Sequence, residues 1–174
     1  SMGFSMGAHR AWMLSAATDV VKAGAAVCWM NTTEYLMTLT NNQNKGGSAF
    51  SMIIPGIRNQ LDYPHVASIA CPKPMLFVNG TKDKLFPIEG VKDAYSIMKE
   101  VWKDQEVEDK LVTKIYELHH FCNKEIQLDI LNFMNEHLKV SKEKQDFAKF
   151  YKAYSLFMLQ ENKISYELFL EAQK

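Results

Sequence analysis

Gly3-Phe4-Ser5-Met6-Gly7-Ala8-His9-Arg10-Ala11-Trp12 is the stretch on which the fold turns. A serine with glycine two residues before and two residues after it, Gly-x-Ser-x-Gly, marks a sharp strand-to-helix turn. Where the chain doubles back there is little room for side chains beside the turn residue. The residues that follow agree with that geometry. Positions 8–18 hold good helix formers and neither Gly nor Pro, and predict a helix.

Downstream of this helix, Ala23 to Met30 is a continuous apolar run with Gly24 inside it, which predicts a strand buried on both faces. Residues 31–70 read as irregular. Asn41 to Gly47 is a loop, and Pro55-Gly56 and Tyr63-Pro64 are further breaks. Pro74 to Asn79 is a second apolar strand, ended by Gly80. After Pro87, Ile88, Val91, Tyr95, Met98 and Trp102 recur at helical spacing. Leu111 to Leu118 carries Val112, Thr113, Ile115 and Tyr116, which suit a strand. Asn123 is placed to cap a helix with an apolar face of Ile126, Ile130, Phe133, Met134 and Leu138. The alternation of helix and strand predicts an α/β fold, a parallel sheet covered by helices on its faces.

Residues 1–140 read as one domain portion and 141–174 as a helical extension. In the extension, Phe147, Phe150, Tyr151, Tyr154, Phe157 and Met158 form an aromatic stripe at helical spacing. Such a stripe is expected to pack on the body or on a second subunit. Its polar face lacks the Lys and Arg excess of a membrane-surface helix.

Composition narrows the function classes. A chain of 174 residues with 47% apolar and 23% charged residues can build a core, which excludes disorder. Twenty basic and twenty acidic residues cancel, so no net field draws the chain onto nucleic acid or anionic lipid. The longest apolar-or-glycine run, Ala23 to Met30, is far too short for a membrane span. The first ten residues lack a signal-peptide layout. Cys28, Cys71 and Cys122 are odd in number and scattered, with neither a disulfide framework nor a paired metal spacing. That usage points to a reducing, cytoplasmic compartment unless a leader lies upstream.

Three features carry chemistry. Ser5 stands at the turn. Asp83, in Gly80-Thr81-Lys82-Asp83, follows the carboxyl end of a strand, where functional residues of parallel sheets gather. His119-His120 follows the carboxyl end of the next strand. The chain order Ser, Asp, His is that of α/β-hydrolases, not of chymotrypsin or subtilisin. Lys82 and Lys84, on either side of Asp83, read as solvated charges. A metal site from His119, His120, Cys122 and Asp83 is disfavoured, because adjacent histidines point apart on an extended chain. Cys122 lies in no such turn and reads as an inert, buried thiol.

With these residues in view, the chain resembles the C-terminal half of an α/β-hydrolase, closest to the dienelactone-hydrolase and acetyl-xylan-esterase-like group. The resemblance runs over about residues 2–139. It is carried by 3–12, 22–30, 62–80 and 82–87, and by His-His-Phe-Cys-Asn-Lys-Glu at 119–125. It implies Ser5 as nucleophile, Asp83 as the carboxylate that orients the base, and Met6 N–H as an oxyanion donor. The group's His-x-Phe pattern implies His119, not His120, as the base. No metal or organic cofactor is implied. The implied substrate is a small-molecule carboxylic ester, of a small or carbohydrate-linked acyl group.

One departure shapes a further expectation. The fold places strands ahead of the serine turn, and only Ser1 and Met2 precede Gly3. The sequence therefore predicts three strands, with the serine-bearing strand missing, and a weakly active chain. Self-association is expected through the open sheet edge or the stripe at 147–158. Two other functional readings stand beside the esterase: a peptidase similar to the prolyl-oligopeptidase group, and a catalytically dead remnant acting as a binding or structural module.

Overall fold

The computed structural model describes residues 1–38, 41, 56 and 60–138. The 141–174 extension and its aromatic stripe lie outside the described residues, as do residues 42–47 of the loop. Among the described residues, four strands form a parallel sheet in the order β1-β2-β3-β4: β1 (Met2–Phe4), β2 (Gly24–Val27), β3 (Met75–Gly80) and β4 (Leu111–Tyr116). The α-helices of the described residues are α1 (Met6–Ala17), α2 (Thr33–Leu36), α3 (Tyr63–Ser68), α4 (Ile88–Asp104) and α5 (Lys124–Leu138).

The fold corrects the expectation that the serine-bearing strand is missing. Gly3 and Phe4 are themselves strand residues, so β1 needs only Met2 ahead of them. It pairs in register with Ala25, Ala26 and Val27 of β2. Backbone bonds extend the pairing at both ends, Ala25 N–H to Ser1 O at 2.9 Å and Ser5 N–H to Val27 O at 2.8 Å. The Ser1 amino group also donates to Ala23 O at 2.8 Å.

The buried strands alternate between two cores, as period-2 geometry requires. Ala26, Met75 and Phe77 face Trp12 of α1, Val66 and Ala67 of α3, and Val91, Ala94, Met98 and Trp102 of α4. Ala25, Val27, Leu76 and Val78 face Ile126, Ile130 and Phe133 of α5. The predicted apolar face of α4 is buried at Val91, Tyr95, Met98 and Trp102. In α5 the face fades toward the end, where Leu138 is exposed rather than buried. Asn123 Oδ1 accepts the Ile126 N–H at 2.9 Å, the cap expected for α5. Asp129 of α5 ties back to β4, through Lys114 at 2.8 Å and through the Tyr116 hydroxyl.

The irregular reading of 31–70 is corrected at two places. Tyr63-Pro64 opens a helix instead of breaking one. Proline is tolerated in a first turn, where its missing N–H has no helical partner, and Asp62 caps that turn through Tyr63 N–H at 2.7 Å. The same carboxylate accepts the Thr33 N–H and hydroxyl of α2, at 2.9 and 3.1 Å, so one aspartate starts two helices.

Candidate active site

The Ser5 turn is built as the glycine pattern predicts, with one difference. Ser5 links β1 to α1 at φ 53° and ψ −122°, a conformation that costs a residue other than glycine about 1–3 kcal/mol. Gly3 is indispensable to it, because a Cβ there would lie 2.1 Å from the Gly7 carbonyl carbon and oxygen. At Gly7 a Cβ would meet nothing within 4 Å, so that glycine is not held by sterics. Met6 opens α1, and its N–H belongs to the first turn, which has no helical acceptor.

The ends of β3 and β4 are zipped together beside this turn. Thr81 N–H donates to Tyr116 O at 2.8 Å and Lys82 N–H to Leu118 O at 3.0 Å. Gly80 permits the approach, since a Cβ there would lie 2.1 Å from Leu118 O. Lys82 Nζ meets Glu117 at 2.8 Å on the exposed side of this junction.

The junction brings Asp83 and His120 together. Asp83 is buried; its Oδ1 accepts the Leu85 N–H at 2.9 Å, and its Oδ2 lies 2.8 Å from His120 Nδ1. His120 Nε2 lies 2.8 Å from Ser5 Oγ. An ionised carboxylate only accepts, so Nδ1 carries the ring proton and Nε2 is left to accept from the serine hydroxyl. Phe4 and Phe86 pack against the imidazole, with ring centroids at 4.9 and 5.8 Å; Phe86 is nearly parallel to it at 15°. Phe86 rests in turn on Trp29, which contacts His9 and Tyr63.

The resemblance implies His119 as the base, whereas it is His120 that lies between Asp83 and Ser5. β4 ends at Tyr116 and the chain bends, with Leu118 N–H donating back to Tyr116 O at 2.9 Å. The bend turns His119 outward, where its Nδ1–H donates to Lys82 O at 3.0 Å, and aims His120 at Ser5. Of the residues singled out in the sequence, Ser5 and Asp83 are brought together through His120, and His119 lies outside that contact.

Two further residues at the site carry no signal of their role in the sequence. Cys28, just past β2 at φ 55°, is buried, and its thiol reaches the Phe121 carbonyl at 3.8 Å. Burial, with the nearby negative charge of Asp83, pushes that thiol up to about 12, so it is protonated. Cys122 is half-buried, and burial raises its thiol also. The other is Phe86, fully buried behind His120. An apolar residue in a loop gives no signal for either role. Among the described residues, no helix is long and apolar enough to cross a membrane.

No protein-family model matches the chain. A curated relative, YtaP of Bacillus subtilis (strain 168), whose name calls it a hydrolase, is 29% identical over 91 residues. That match covers 52% of this chain and 29% of YtaP. Among solved structures, a carbohydrate esterase family 15 glucuronoyl esterase from Caldicellulosiruptor kristjansonii superposes with a TM-score of 0.67 at 16% identity. It covers 79% of this chain and 42% of its own. The glucuronoyl esterase catalytic domain from Hypocrea jecorina gives 0.60 at 15% identity, over 80% of this chain and 44% of that one. A Pyrococcus furiosus esterase gives 0.54 at 16%, over 78% and 52%. The chain thus spans less than a third of the curated relative and about half or less of these structures.

Proposed function

Because the chain carries the α/β-hydrolase fold, we propose that it hydrolyses carboxylic esters through Ser5, His120 and Asp83. The observation that carries this reading is the unbroken hydrogen-bond series Asp83–His120–Ser5, 2.8 Å at each step, with the serine on a strained strand-to-helix turn. In this reading the Ser5 hydroxyl gives its proton to His120 Nε2 as Oγ attacks the ester carbonyl. Asp83 fixes the tautomer and stabilises the imidazolium that forms. The Met6 N–H, at the positive end of α1, binds the developing oxyanion. His120 then returns the proton to the departing alkoxide, and water repeats the sequence on the acyl-serine.

Carbohydrate-linked esters are the substrate class this reading favours, from the likeness to proteins named as glucuronoyl esterases. Small acyl esters remain the simplest assay. Turnover of an aryl acetate, compared between the native chain and Ser5→Ala, tests the proposal. Ser5→Ala is expected to lose at least about a thousandfold in rate with an unchanged circular dichroism spectrum. Full activity in Ser5→Ala would overturn it.

A further inference from the structure

We propose that Cys28, Asp83 and His120 bind a thiophilic divalent cation, Zn2+ being the type case, and that the bound ion switches the hydrolase off. The inhibition rests on the function proposed above; the binding does not. One ligand atom from each of the three residues lies within 4.8 Å of the other two, so a sulfur, an oxygen and a nitrogen are gathered in one cluster. Tetrahedral zinc takes bonds of about 2.0–2.3 Å to these atom types, which sets ligand separations of about 3.3–3.8 Å. Closing the cluster onto an ion thus asks for shifts of about 1 Å. A mixed S, N, O set selects zinc-like ions over Mg2+ or Ca2+, which prefer all-oxygen sites.

Outer contacts are already in place. Leu85 N–H holds Asp83 Oδ1 at 2.9 Å and leaves Oδ2 for an ion. Ser5 Oγ, 2.8 Å from His120 Nε2, supplies the acceptor that a metal-bound imidazole needs for its other ring N–H. The thiol and carboxylate are buried, while the His120 side chain is 23% exposed and gives the path of entry.

Inhibition follows from the tautomer. An ion on Nδ1 uses the lone pair there, so the ring proton must sit on Nε2, where it points at Ser5 Oγ. An imidazole so protonated cannot accept the serine's proton. The balance is simple: one M2+ enters, the Cys28 thiol proton leaves to solvent, and the imidazole proton passes from Nδ1 to Nε2 by exchange with water. No electron is transferred.

The experiment follows labelling of Ser5 by a fluorophosphonate, and separately the absorption of added Co2+, in chelator-treated protein. Zn2+ is expected to block labelling and EDTA to restore it. Cys28→Ala, scored against its own metal-free rate, should need at least about tenfold more Zn2+. Cys122→Ala should respond as the native chain does. Co2+ should show a thiolate charge-transfer band that Cys28→Ala lacks. Should the alanine variant fail to fold, Cys28→Ser keeps the volume and removes the soft ligand. An unchanged zinc response in the Cys28 variant, or Co2+ without the band, would overturn the proposal. A chain that shows the cobalt band but never takes the label would instead contradict the ester-hydrolase reading and leave the metal site standing.

Discussion

Gly3 lies so close to Gly7 that a single methyl group on Gly3 would sit 2.1 Å from the Gly7 carbonyl. The two glycines of one motif therefore do different work. Gly3 admits the first turn of α1, while Gly7 contributes only the backbone that Gly3 approaches. Gly3→Ala is expected to destabilise the chain by at least about 2 kcal/mol, the scale of overpacking against an unyielding backbone. Gly7→Ala should be neutral or stabilising by up to about 1 kcal/mol, as alanine for glycine is in a helix. Urea unfolding of the two variants checks this. Equal losses would mean that Gly7 is also sterically held.

The adjacent histidines should separate cleanly in turnover. His120→Gln removes the group 2.8 Å from Ser5 Oγ and is expected to cost about 10³-fold or more in rate. His119→Gln removes only a solvent-side bond to Lys82 O and should cost less than about tenfold. Steady-state kinetics on an aryl acetate distinguishes them, and the reverse ranking would reinstate His119.

His9 makes stability depend on pH. It is buried among Trp12, Trp29 and Tyr63, and burial, with the Arg10 charge, lowers it from 6.5 to about 4. The unfolded chain therefore binds the proton first. The contribution of neutral His9 is fully present above pH 6.5 and is lost as pH falls toward 4, by about 3 kcal/mol at most. Unfolding free energies at pH 7 and pH 5 should differ more for the native chain than for His9→Gln. The same difference in both would rule out His9 as the source.

Much of this architecture is local and was legible in the sequence. The β2 and β3 apolar runs, the α4 stripe and the Ser5 turn each follow from neighbours a few residues apart. What escaped depends on partners distant in sequence. The bend that aims His120 is fixed by the bonds from Thr81 and Lys82 to Tyr116 and Leu118, so no alternation along β4 could choose between the two histidines. Asp62 caps α2 from 29 residues away, which is why that segment read as irregular. β1 has no apolar run of its own to announce it, because Gly3 and Phe4 of the serine motif are themselves paired residues of the sheet.

Activation of Ser5 by His120 is the proposal on which the function rests. Mass-spectrometric mapping of a fluorophosphonate label tests it most directly, since the phosphonyl group transfers only to an activated nucleophile. A single modified residue, Ser5, is expected, with the label lost in His120→Gln and kept in His119→Gln. A label on another residue, or one that persists on Ser5 in His120→Gln, would contradict it.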